Sequence, residues 1–256
     1  MATRTLKLPR AFTREDGRER IALPLWNGIL SALGSIAAGF VVMLVAMIVL
    51  FIAATLITGN TPSTNPGHPV MATAELVFYA AGGAFAWWRL RALNARPFRK
   101  LRLGDVRAIL TGVGILMLAR VATGLLLVLT DHTKHVQSGF ENFDVKSAVP
   151  GMTAVSAVIA VASMTIIAPI VEEIVFRGLL FGALASRLGI LASALITALL
   201  FGAVHGDLLL FPAIAALGLV TALTYAATGN LWVAIILHAL NNALGAIFLV
   251  GMSLSK

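Results

Sequence analysis

Long apolar runs alternate with short polar stretches along this chain. The runs 30–57, 70–88 and 106–129 are each about as long as the roughly 20 residues a helix needs to cross hydrocarbon, and they predict three transmembrane helices. Between the first two lies GNTPSTNPGHP, a turn-rich loop without formal charge. From 148 onward the pattern is almost unbroken: 148–186 would be roughly 58 Å long as one helix, nearly twice the hydrocarbon thickness. It must tilt, kink or divide, and Pro169 is the expected break because it removes a helix hydrogen bond. Further spans fit 190–204, 208–228 and 231–251, separated by HGD and TGN turns. The prediction is an all-α polytopic membrane protein of seven helices, or eight if 148–186 is two.

Composition removes the alternatives. Residues of the set AVILMFWYC make up 59% of 256, charged residues only 12%, and the mean hydropathy is +0.94. That excludes a soluble globular domain, a disordered segment and a coiled coil, which all carry more charge. The net charge of +8 is concentrated: six basic residues lie in 1–25 and seven in 89–107, at the flanks of apolar runs. Cytoplasmic loops collect Lys and Arg in this way. The N-terminus and 89–107 are therefore expected inside, and 58–69 and 130–147 outside, with anionic lipid rather than nucleic acid as the basic segments' partner. The lead and the apolar run after it are too long for a cleaved signal peptide. Three regions follow: a basic cytoplasmic segment 1–25, membrane helices over 26–147, and a distinct region 148–256. There is no cysteine, hence no disulfide, thiolate metal site or cysteine nucleophile.

Region 148–256 has six charged residues, Glu172, Glu173, Arg177, Arg187, Asp207 and Lys256. An ionisable group in hydrocarbon costs about 2.5–3.5 kcal/mol or more, so each needs a reason. In PIVEEIVFRG, Glu173 and Arg177 are four apart and can pair on one helix face. Pro169 at a helix start would place both acids near its positive end. Glu172 points about 100° away and is left without that arginine. Apolar surroundings raise a carboxyl's affinity for protons, the property of a general base. In LLFGAVHG, His205 follows Phe201 by four, and an interfacial histidine is the plain alternative. In ILHALNNA, His238 precedes Asn241 and Asn242 by three and four, where interhelical polar contacts are the plain alternative. Together, a carboxylate, two imidazoles and an amide form an inventory for activating water and stabilising an oxyanion. Zinc is a competing use of the same groups, with Glu172, His205 and His238 as ligands.

These three motifs, in this order, resemble the family of type II CAAX prenyl endopeptidases (Ras-converting enzymes) and bacteriocin-processing and immunity membrane proteins. The likeness rests on EEIVF followed by Arg177, on FGAVH and on HALNN, and covers roughly 150–250. It implies an intramembrane endopeptidase with Glu172 as base acting on water with His205. His238 and Asn242 take the oxyanion role, and Glu173 with Arg177 forms a supporting pair. It also implies a site open toward the cytosol, peptide or protein substrates that carry a lipid in the eukaryotic enzymes, and a bacterial cytoplasmic membrane. No cofactor is required by this mechanism; zinc is the metal-assisted variant. HExxH and GxGD motifs are absent. A non-catalytic immunity or scaffolding protein and a proton-relaying transporter are the other readings. Arg120, near the middle of the third span, is expected to pair with an acid. Glu75 is expected at the interface, Asp207 beside His205 or in turn chemistry, and His68, His132 and His135 in solvated loops. Gly178/Gly182 and Gly202/Gly206 have the spacing of close helix packing.

Overall fold

The computed structural model describes residues 23–62, 69–132, 158–159 and 161–254, with side chains as far as Ile247. His68, His135 and 148–157, where an eighth helix is expected if 148–186 is two, lie outside the described residues. The described residues form seven helices and no strand. These are α1 (Leu25–Thr58), α2 (Pro69–Ala92) and α3 (Leu103–Leu129), followed by a composite α4 and by α5 (Ile190–Val204), α6 (Phe211–Thr228) and α7 (Leu231–Leu254). Helices α1, α2, α3 and α6 are long and apolar enough to cross a membrane; Ile190–Val204 and Leu231–Ile247 are shorter apolar helices. Val41, Val45, Ile48, Val49 and Ile52 of α1 are all exposed, an arrangement stable when the surrounding solvent is lipid.

Pro169 does not divide the chain. Helix α4 continues through π-helical Ser163–Ile167, α-helical Ala168–Glu173, π-helical Ile174–Phe181 and α-helical Gly182–Leu188. The reason is local. In the first π stretch the bonds reach back five residues, as from Ala168 N–H to the Ser163 carbonyl. Pro169 would reach Met164 in that register but has no N–H to donate. The Met164 carbonyl is instead satisfied by Asn242 Nδ2 of α7 at 2.9 Å. Glu172 and Glu173 consequently sit inside a continuous helical run rather than at a helix start.

Small residues set the remaining distances. A Cβ on Gly39 would meet the Phe78 carbonyl at 2.7 Å, and one on Gly82 the Ser35 carbonyl at 2.9 Å, so α1 and α2 pack backbone to backbone. Gly178 packs against Leu90 and Leu231, and Gly202 against Phe211 and Ala215. Gly206 has a different use: at φ +70° with open space around it, it makes the turn after α5. At the basic end, Arg99 clasps Asp105 through two 2.8 Å bonds and donates to the Thr228 carbonyl at 2.8 Å. Buried Asn230 accepts from the Arg99 amide, and Leu231 N–H donates to the Pro97 carbonyl at 2.8 Å. These bonds tie the loop after α2 to the start of α7, and so set the height of His238 two turns further on.

Replacing Gly82 by leucine should push α1 off α2 and lower stability by about 1–3 kcal/mol or more. Thermal unfolding in detergent, compared with the exposed Gly114→Leu control, measures it; equal melting temperatures would contradict the backbone contact.

Candidate active site

Helix α4 carries the centre of the site. Glu173 and Arg177 are fully buried and paired, Nη1 to Oε1, at 3.0 Å. Arg177 also donates from Nη2 to the Gly218 carbonyl of α6 at 2.8 Å, and its guanidinium lies 4.7 Å from the Phe201 ring centroid. A fixed cation in the core is thus neutralised by one carboxylate, one carbonyl and one ring face. Glu173 Oε1 also receives Nδ1 of His238, at 2.9 Å. A carboxylate oxygen in this contact accepts, so Nδ1 carries the proton and Nε2 faces the other way. It faces Glu172, with Nε2 to Oε2 at 3.8 Å.

Glu172 is the accessible member. Its side chain is 16% exposed against 2% for His238 and none for Glu173. It lacks the arginine, as expected from the helix geometry, yet it has a partner: Tyr79 Oη of α2 donates to Glu172 Oε1 at 2.9 Å. Glu75, one turn before Tyr79, is exposed and close enough to feel the Glu172 charge. Sequence reasoning missed Tyr79. The available signal was a phenol inside an apolar span, four residues after an acid and so on its helix face.

His205 caps α5 and is exposed. Its Nδ1 contacts the Phe201 carbonyl at 2.7 Å, which can only accept, so the neutral ring presents a bare Nε2. Phe201 joins the two imidazoles, its ring centroid 4.8 Å from His205 and 5.6 Å from His238. Asp207 accepts the amides of Leu209 and Leu210, so turn chemistry accounts for these bonds. Asn242 spends one amide hydrogen on Met164, accepts from Asn241 Nδ2 at 3.2 Å, and keeps a second N–H. Arg120 binds an amide, where an acid was expected: it donates to Asn241 Oδ1 at 3.0 Å and to the Asn241 carbonyl at 2.6 Å. Two acceptor oxygens of one residue replace a carboxylate because α7 presents Asn241 and Gly245 on the side facing Arg120 of α3. His132 is exposed in the turn after α3.

The geometry thus joins Glu172, Glu173, Arg177 and His238 directly, with His205 linked through Phe201 and Asn242 one turn beyond His238 on α7. Among the described residues no group of three or more His, Asp or Glu side chains is placed to hold a metal ion. Glu172, His205 and His238 therefore do not assemble as a zinc ligand set in this arrangement.

What these features define first is a class: an all-helical membrane protein with a hydrogen-bonded Glu/Arg/His cluster inside its helices. Residues 154–244 match the family model for type II CAAX prenyl endopeptidase, Rce1-like. The chain is 38% identical over 99 residues to YdiL of Bacillus subtilis (strain 168), a membrane peptidase by name, covering 39% of this chain and 37% of that one. It is 32% identical over 91 residues to the membrane-embedded CAAX protease MroQ of Staphylococcus aureus (strain USA300), covering 33% and 37%. The matched segment thus spans about 37% of the length of either relative. No solved structure matches the chain. The family resemblance drawn from the three motifs is borne out over the region that carries them.

Arg177→Met should cost about 3–5 kcal/mol, because it leaves Glu173 as a buried charge with one partner fewer. The double variant Glu173→Leu/Arg177→Met should recover part of that loss in detergent unfolding. A double variant less stable than both single ones would show that the pair does not act as a unit.

Proposed function

We propose that the chain is an intramembrane endopeptidase that hydrolyses peptide bonds of membrane-associated peptides or proteins. The observation that carries the reading is the pairing of a partly accessible carboxylate, Glu172, with the Nε2 edge of a buried histidine whose other nitrogen is held by Glu173. Family likeness over 154–244 supports the reaction class.

Glu172 takes a proton from water as the oxygen attacks the scissile carbonyl carbon, and Tyr79 holds the carboxylate in one rotamer. His205 assists with its bare Nε2, presented from the end of α5. The tetrahedral oxyanion is stabilised by His238 Nε2–H and by the second N–H of Asn242. For His238 to donate from both nitrogens its ring must be imidazolium. Two carboxylates, one guanidinium and one imidazolium then sum to zero charge, the least costly state for a buried cluster. Glu172 returns the proton to the leaving amine as the C–N bond breaks. No step is routed through a metal, because the Glu172, His205 and His238 set does not converge. The basic flanks support a reading with the N-terminus at the cytoplasmic face of a bacterial membrane. Substrates are peptides or proteins held in or on the bilayer, and a lipid on them would add affinity through apolar contact.

Glu172→Gln and His205→Ala should each abolish cleavage while the protein still inserts and extracts normally; full activity in both would sink the assignment. A strong chelator should leave the rate unchanged, whereas loss restored by added zinc would favour the metal-assisted variant. Tyr79→Phe should lower kcat about tenfold to a hundredfold, the worth of one hydrogen bond to a charged group, with little change in KM. A comparison of membrane peptidomes with and without Glu172→Gln would identify the substrate.

A further inference from the structure

Two expectations drawn from the sequence conflict once the helices are placed. Basic flanks put the N-terminus and 89–107 in the cytoplasm, whereas family resemblance puts the site's opening there too. The described helices assign these to opposite ends. Arg89 and Arg91 end α2, Arg99, Lys100 and Arg102 precede α3, and Arg187 ends α4. The chain enters α1 at this same end, where the Ser186 hydroxyl reaches the Leu23 carbonyl at 3.5 Å, and six further basic residues precede it in sequence. All four tryptophans, Trp26, Trp87, Trp88 and Trp232, are exposed near this end, as at a membrane interface. Among the described residues, eight of the ten Lys and Arg side chains belong to it: Arg89, Arg91, Arg96, Arg99, Lys100, Arg102, Arg107 and Arg187.

The site is shut on that side. His238 lies six residues beyond Trp232, about 9 Å along the helix. The layer between is closed by Leu90, Leu179, Leu231, Val233, Ala234 and Leu237, each at most 1% exposed. Its accessible polar groups lie the other way. His205 sits where α5 ends, the turn to α6 follows with Leu208 88% exposed, and Glu75 lies in the half of α2 remote from its arginines.

We infer that the site opens on the membrane face opposite the basic segments, the extracytoplasmic face. Resting on the protease reading, this narrows the substrate class to membrane-held or exported peptides whose scissile bond stands at the outer side of the bilayer. A cytosolic protein anchored by a lipid is thereby disfavoured.

The absence of cysteine makes the test direct. Single substitutions Leu208→Cys, Glu75→Cys and Leu101→Cys in the full-length protein are treated with a membrane-impermeant maleimide, in spheroplasts and in inverted vesicles. The expected result is complete labelling of Leu208→Cys and Glu75→Cys in spheroplasts, with Leu101→Cys labelled only in inverted vesicles. The reverse pattern overturns the orientation. Labelling of Leu208→Cys from outside with Glu75→Cys reactive only from inside overturns the opening while leaving the orientation. None of these readouts involves proteolysis, so failure of the protease reading shows separately, as cleavage that survives Glu172→Gln.

Discussion

The buried pair Glu173–Arg177 is the constraint on which the rest of this structure depends. Two charges without exposure, deep among apolar helices, are tolerable only because they are paired and further bonded, although Glu173 Oε2 and Arg177 Nε find no hydrogen-bond partner among the described residues. Arg177 recruits the Gly218 carbonyl of α6 and the face of Phe201 in α5; Glu173 recruits His238 of α7. One ion pair thereby fixes four helices against each other. It also orients the His238 ring, so that the nitrogen left over faces Glu172. The roles of the two adjacent glutamates follow from a rotation of about 100°: one turns into the core and holds a histidine, the other turns toward the accessible side.

A second set of polar bonds makes that arrangement reachable. Helix α4 has to carry a proline and two glutamates among apolar helices without breaking, and π turns before and after 168–173 permit this. The carbonyl that Pro169 cannot satisfy is taken by Asn242, which leaves the same asparagine poised one turn beyond His238. Asn242 thus has a structural duty and a free donor at once. Its neighbour Asn241 has another duty, binding Arg120 from α3. Adjacent amides of identical chemistry serve different helices because consecutive residues point to different sides of α7.

Much of the site was legible beforehand, for a specific reason. In a soluble protein, EExxxR would be one charged helix face among many. Here six charges stand among 109 residues, so every one carries information. The pairing of Glu173 with Arg177 needed only helix periodicity. The partner of Arg120 was not legible, because nothing local distinguishes an amide from an acid on another helix. Tyr79 was not legible for the same reason: it lies 93 residues from Glu172 and joins it only when α2 meets α4. The effect of Pro169 was misjudged because its remedy lies 73 residues away on α7.

The sequence by itself determined the class, since 59% apolar residues and 12% charge are stable only in lipid, and it named the chemical groups, since hydrocarbon penalises any polar residue without a purpose. It also determined which flanks are basic. Tertiary structure alone decided which glutamate is accessible and which nitrogen of His238 is fixed by a neighbour. Those properties depend on contacts between residues far apart in the chain. Helix periodicity governs directions within one element but carries no information about the height at which two elements meet.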